Sequence, residues 1–318
     1  MAVYTEVTDD DLARFLTEYD IGTLVAFRGI AEGVENSNFS LRTTGGDFIL
    51  TLYERRVDPA DLPWFIGLMR HLAARGINCP LPVTGLDGKA LRHMCHRHAA
   101  ITNFLPGVWP RRPQPAQCAQ LGEALARLHL AGEDFSPQRP NGLGPAAWPG
   151  LLARCGNADQ LQPGLTAELQ SAVAHVVAAW PADLPAGHIH ADLFPDNVFF
   201  LGDRLSGLID FYFACTDIYA YDIAVCLNAW CFEPDYAFNA TSARALLRGY
   251  ASVRALSQGE VAALPVLAAG AALRFLLTRL FDWLNTPAGA LVTRKNPLDY
   301  ERRLRFHLGI RDFNAYGL

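Results

Sequence analysis

Residues 188–200 read His188-Ile-His190-Ala-Asp192-Leu-Phe-Pro-Asp196-Asn197-Val-Phe-Phe, and after a Gly-Asp turn the chain continues Leu205-Ser-Gly-Leu-Ile209-Asp210-Phe211. An acid, an asparagine five residues on, and an apolar hairpin closed by a second acid suit phosphoryl transfer. That chemistry needs a carboxylate to accept an alcohol's proton and hard oxygen ligands to hold Mg2+ across nucleotide phosphates. The spacing assigns the base to Asp192 and the metal to Asn197 and Asp210. His190, beside the base, is expected to fix the loop by hydrogen bonds rather than to carry the proton. Turn carboxylates that merely cap short elements would explain each acid singly, but not the joined loop, hairpin and terminal acid.

The surroundings narrow the acceptor. A protein kinase carries an Arg before its catalytic Asp, a Gly closing Asp-Phe-Gly, and a long activation loop ending in Ala-Pro-Glu. Here Ala191 and Tyr212 stand at the first two positions, and only a short stretch separates Asp210 from Tyr221-Asp-Ile-Ala224. With no activation loop, the pattern predicts a small alcohol as acceptor. Asp222 is suited either to take backbone hydrogen bonds from the catalytic segment or to cap a helix.

Working outward, residues 8–19 carry Leu12, Phe15 and Leu16 at helical spacing behind the cap Thr8. Strands follow at 23–28, 39–43 and 48–53, then a helix over 58–75 stopped by Gly76. Segments 82–85 and 90–104, flanking the Asp87-Gly88 turn, are expected to add two strands. Proline-rich 105–115 marks a hinge, so the organisation is an α+β lobe over 1–104, the hinge, and a mostly helical lobe over 116–318.

Composition limits the partners. The 318 residues are 51% hydrophobic with net charge −5, and the charges are interspersed, leaving no basic face for nucleic acid or an anionic membrane. The apolar run 261–273 is short for a span and reads as a buried helix. Seven cysteines without CxxC pairs, and no basic-then-apolar pattern in residues 1–6, point to a reducing, cytoplasmic setting. Lys89 and Lys295 are the only lysines, and neither precedes Ser or Thr, which excludes a P-loop. His93, Cys95, His96 and His98 lie close in sequence, but strand alternation would keep them from converging on one metal ion.

The segment 190–200 with its hairpin and Asp210 resembles the protein-kinase-like superfamily, in its aminoglycoside phosphotransferase and choline kinase branch. Within that branch, His190-Ala-Asp-Leu-Phe-Pro-Asp-Asn-Val-Phe-Phe, Phe48-Ile-Leu-Thr-Leu-Tyr-Glu54, Gly33-Val-Glu-Asn-Ser-Asn-Phe39 and Asn103-Phe-Leu-Pro-Gly107 look like the homoserine kinases of the aminoglycoside-phosphotransferase-like type, nearly end to end. The resemblance implies a bilobal fold, ATP and Mg2+, and phosphorylation of the side-chain hydroxyl of L-homoserine on the route to threonine. The choice of homoserine rests on the resemblance alone.

Nucleotide contacts are expected from the glycine-bearing turn, at Gly33, Asn36, Ser37 and Asn38, where backbone N–H groups can approach phosphates. Asn103, Phe104 and Leu105 would offer backbone hydrogen bonds to adenine. Aligned on this fold, the third-strand lysine of protein kinases falls near Thr51, and no lysine is at hand; Arg55 or Arg56 is the candidate substitute. A zwitterionic acceptor needs a cation and an acid, and the helix expected over 271–284 offers Arg274, Arg279 and Asp282. Surface ion pairing is the other reading of those arginines. Two other functions stay open: a kinase of an aminoglycoside, choline or a sugar, and a nucleotide-binding module without turnover. Residues 216–318 hold nine acidic and eleven basic residues, which argues against a polycationic acceptor.

Overall fold

The computed structural model describes residues 5–30, 36–54, 57–286 and 294–317. They form two compact units, one of Met1–Gly107 with Ser206–Tyr212, the other of Val108–Leu205 with Phe213–Leu318.

The first unit is built on a five-stranded antiparallel sheet in the order β1-β2-β3-β5-β4: β1 (Leu24–Gly29), β2 (Ser37–Thr43), β3 (Gly46–Tyr53), β4 (Arg92–Met94) and β5 (Arg97–Asn103). Because side chains alternate along a strand, the register Phe39↔Leu50↔Ile101 puts Phe39, Leu41, Leu50, Leu52, Ala99 and Ile101 on one face. There they share a core with Leu12, Phe15 and Leu16 of α1 (Asp9–Leu16), which Thr8 caps by accepting from the Asp11 N–H at 3.1 Å. Thr51 and Tyr53 lie on the opposite face. Helix α2 (Leu62–Ala74) follows a 3-10 turn over Pro59–Asp61 and ends where Gly76 turns left-handed at φ 84°.

The strand expected over 90–104 is in fact a hairpin. Cys95 and His96 take φ 49° and 59°, the pair of left-handed residues that a two-residue turn demands, without the Gly or Asn that announces one. His93 and His98 become cross-strand partners with rings 4.1 Å apart, and no metal-binding group of three His, Cys, Asp or Glu occurs among the described residues. Segment 82–85 contributes only the isolated bridge Pro82↔Thr102, since proline brings no N–H to a ladder. The Asp87-Gly88 turn exists, with Gly88 at φ 83°, but joins no two strands of the sheet.

The second unit contains α3 (Pro115–Gly132), α4 (Trp148–Cys155), α5 (Leu165–Ala178), β6 (Ala186–Ile189), β7 (Val198–Leu201), the start of β8 (Arg204–Leu208), β9 (Cys215–Ile218), α6 (Tyr219–Trp230), α7 (Ala240–Ala251), α8 (Gln258–Asn285) and α9 (Leu298–Gly309). Segment 206–212, placed by sequence in the helical lobe, belongs to the first unit. Helix α6 is buried almost along its whole length, packed on α7 and α8. The two helical stretches read at 261–273 and 271–284 are one helix of 28 residues, α8, which continues through Pro265 at the loss of one backbone hydrogen bond. It is long and apolar enough to span a membrane, yet 72% of its apolar window is buried against its neighbours, including α4, α6 and α9.

Candidate active site

In the second unit, β6 delivers the chain into 190–197 while β9, paired to it through Ile189↔Cys215, runs directly into α6. The first turn of α6 thereby sets Asp222 beneath the loop. Its buried carboxylate takes the His190 N–H at 2.7 Å, the Ala191 N–H at 2.8 Å and His129 Nε2 at 3.1 Å. Burial pushes this carboxyl up, but the His129 hydrogen bond, together with the His190 N–H, outweighs it and holds Asp222 below the usual carboxylate range. Ile218 occupies the N-cap position, so Asp222 braces the loop and does not cap the helix.

Ala191 adopts φ 61°, a left-handed conformation that persists only where its surroundings fix it. They do so from both sides. Asp222 holds the N–H groups, and Nη1 of Arg274, from α8, donates to the Ala191 carbonyl. The other guanidinium end, Nη2, is 3.6 Å from Asp192 Oδ1, and the group lies over the rings of Phe275 at 4.3 Å and Phe213 at 5.0 Å. Burial pushes the Asp192 carboxyl up to about 6, against the pull of Arg274 and Lys295. His190 is buried and accepts the Asp192 N–H on Nδ1 at 3.3 Å, a loop-holding contact. Asn197 donates through Nδ2 to the Asp192 carbonyl at 2.7 Å.

In the first unit, Asp210 also sits left-handed at φ 65°. Next to it Tyr212, at the glycine position of Asp-Phe-Gly, is packed on the rings of Tyr53 and Phe65 at 5.2 and 5.6 Å and shares a 2.9 Å hydroxyl contact with Tyr53. Burial drives both phenols upward, Tyr212 to about 12. The segment that carries Asp210 is thus fastened to β3 and α2 by an aromatic anchor where protein kinases have a glycine.

A model of the phosphotransferase enzyme family matches residues 26–256. Over its full length the chain is 71% identical to a homoserine kinase of Granulibacter bethesdensis and 70% identical to one of Acidiphilium cryptum, covering 100% of each chain in both comparisons. The chain belongs to the homoserine kinases of this phosphotransferase family. Solved structures share the fold at low identity. An amicoumacin kinase in complex with AMP-PNP, Ca2+ and Ami has a TM-score of 0.73 at 15% identity, over 98% of this chain and 94% of its own. A choline kinase of Cryptosporidium parvum has 0.68 at 12%, over 95% and 94%. The α+β, protein-kinase-like class expected from sequence is therefore the class of this homoserine kinase family.

The remaining expected residues divide. Gly33, Arg55 and Arg56 lie outside the described residues. Asn36 and Ser37 are buried and bound to Glu54: Asn36 Oδ1 accepts the Glu54 N–H at 3.3 Å, and Ser37 donates to Oε1 at 2.7 Å. Asn38 accepts from Thr51 Oγ1 at 2.8 Å, so a hydroxyl network stands near the expected lysine position. Of the hinge amides, Asn103 N–H donates to Leu81 O at 3.1 Å and Phe104 N–H to Asp47 O at 3.2 Å. Only the Leu105 amide of the three donates to no backbone carbonyl among the described residues.

Arg274 is not a surface arginine. It is 2% exposed and committed to the catalytic loop. Arg279 lies over Tyr300 at 4.4 Å and only 3.5 Å from Asp299, while Asp282 is half-buried on the same helix. Sequence reading missed His129, the partner of Asp222, and Lys295, whose charge reaches Asp192. The lysine's rarity was the one signal that singled it out.

Proposed function

We infer that the chain transfers the γ-phosphoryl group of Mg-ATP to the side-chain hydroxyl of L-homoserine, giving O-phospho-L-homoserine and ADP, on the route to threonine. The observation that carries this reading is Asp192, a nearly buried carboxylate held beside Asn197 in a loop pinned from both sides, in a chain identical to homoserine kinases at about seven positions in ten.

Asp192 accepts the hydroxyl proton as the alcohol oxygen attacks phosphorus and the bond to ADP breaks. Its raised carboxyl keeps it basic enough for this while Arg274 favours the ionised form. The donor set fits Mg2+: the Asn197 amide oxygen takes no hydrogen bond among the described residues, Asp210 is a carboxylate, and one or two protein oxygens would suffice beside phosphate and water ligands. When bound, that ion neutralises charge on the phosphates. Asn197 and Asp210 are the residues that would hold it, His190 and Asp222 fix the loop geometry, and Arg274 is assigned to the loop instead of the acceptor. We assign the Leu105 amide to adenine. The side chains of Asn36, Ser37 and Asn38 tie the strand entry to Glu54 and Thr51, and the backbone N–H groups of this turn are assigned to the phosphates. The seven unpaired cysteines fit a reducing, cytoplasmic compartment.

The test is coupled ADP release with L-homoserine, choline, kanamycin or no acceptor. Turnover with homoserine is expected, and turnover with another acceptor alone would sink the reading. Asp192→Asn is expected to lower kcat by about 10²- to 10⁴-fold with ATP affinity, measured by calorimetry, nearly unchanged. Loss of ATP binding would contradict its role as base.

A further inference from the structure

We propose that Lys295 and Arg279 together form the subsite that holds the acceptor's carboxylate, and so decide that an amino-acid alcohol is chosen over a plain amino alcohol. The inference rests on the homoserine reading above and goes beyond it by naming the cations.

Lys295 and Arg279 are both among the charges that act on Asp192. The Lys295 ammonium stands 5.5 Å from the ring of Phe194, two residues past Asp192, and makes no ion pair among the described residues. Phe194 packs edge-on against Phe275 at 4.8 Å, and Phe275 against Tyr300 at 5.2 Å, so an apolar floor adjoins the catalytic loop. The guanidinium of Arg279 lies over Tyr300 at the far side of that floor.

Among the described residues the bonding of Arg279 is incomplete. One nitrogen, Nη1, makes two long contacts, 3.5 Å to Asp299 Oδ2 and 3.4 Å to the Asn296 carbonyl, neither of them the short bond of a bidentate pair. Asp299 is itself engaged by the Tyr236 hydroxyl at 2.7 Å. Burial lowers the affinity of Arg279 for its proton, and the like charge of Arg303 adds to it. With Arg274 spent on the loop, Lys295 and Arg279 are the cations near the loop that make no short ion pair among the described residues. A carboxylate on the short carbon chain of the acceptor, whose hydroxyl faces Asp192, would give both a charge-assisted partner.

The discriminating experiment compares L-homoserine with 3-aminopropan-1-ol, the same chain without the carboxylate, in wild type, Lys295→Met and Arg279→Met, with thermal melts for each. Each variant is expected to lose about 10- to 100-fold in kcat/KM for homoserine, mainly through KM, the loss of one charge-assisted contact. For 3-aminopropan-1-ol the change should stay within about 3-fold. Competitive inhibition by L-2-aminobutyrate, which keeps the carboxylate and lacks the hydroxyl, should weaken in parallel and reads the subsite without turnover. Lys295 is exposed, so its variant should fold, and Arg279→Lys covers the case in which Arg279→Met does not. Equal losses for both acceptors would mean that these cations serve the transferring phosphoryl group, and unchanged homoserine kinetics would remove them from the site; either overturns the proposal. Wild type that ignores homoserine would instead overturn the function it rests on.

Discussion

At the scale of single residues, the base is held by opposites. The Asp222 carboxylate collects the N–H groups on one side of the Ala191 backbone, and the Arg274 guanidinium collects its carbonyl and reaches Asp192 on the other. Removing the guanidinium strands a buried carbonyl and a carboxylate together. Arg274→Met is therefore expected to destabilise the protein by about 3–5 kcal/mol, read by urea denaturation, and to lower kcat with little change in the KM for ATP. Arg274→Lys should recover part of both, because it keeps the charge but not the fork. A kcat that survives in the folded Met variant would show that the loop keeps its shape without this contact. The motif of Asp192, Asn197 and Asp210 was legible from its spacing because a loop and hairpin of fixed length are set locally. Arg274 was legible only as a charge on a helix, since its partner lies far away in the chain.

At the scale of elements, α3 and α7 approach backbone to backbone. A Cβ on Gly249 would overlap the Ala119 carbonyl, and one on Gly122 the Leu246 carbonyl, so the contact admits no side chain on either helix. Gly249→Ala, which would stabilise an isolated helix, is expected here to cost about 1–3 kcal/mol, measured as a lowered denaturation midpoint. A neutral or stabilising result would mean that the helices separate freely. Periodicity revealed the helices and most strands because it records which face is buried. It failed at Cys95-His96, where the tight hairpin that sets Met94 opposite Arg97 enforces two left-handed residues of poor local preference. It also read α8 as two stretches, 261–273 and 271–284, although they are one buried helix in which packing outweighs the local penalties of Pro265 and Gly270. Gly270 is even required, because a Cβ there would meet Trp180 and Trp148.

At the scale of the whole molecule, global stability is coupled to pH through His307. Its ring is fully enclosed among Phe232, Phe238 and Tyr316, with Nδ1 2.8 Å from the Tyr316 hydroxyl, and burial depresses its pKa from the ordinary 6.5 to about 3. As pH falls through 6.5 the unfolded chain takes up this proton while the folded protein refuses it. The stability is complete above 6.5 and is lost progressively toward 3. Replacement by a residue that does not titrate, His307→Gln, should flatten the dependence of the urea midpoint on pH between about 6.5 and 4 by up to about one proton. An unchanged slope would place the acid sensitivity elsewhere. The sequence by itself determined the spacing of an acid, an asparagine and a hairpin-closing acid from which the proposed base and metal ligands are read, an α+β succession of elements, and the absence of lysine near Thr51. Only the tertiary structure decided that Asp210 belongs with the first unit, that Arg274 serves the loop, and that Lys295 stands near the base. Local spacing fixes what neighbours along the chain can do, whereas burial joins groups with no regard to their separation, and the partners of a charge are settled by the second.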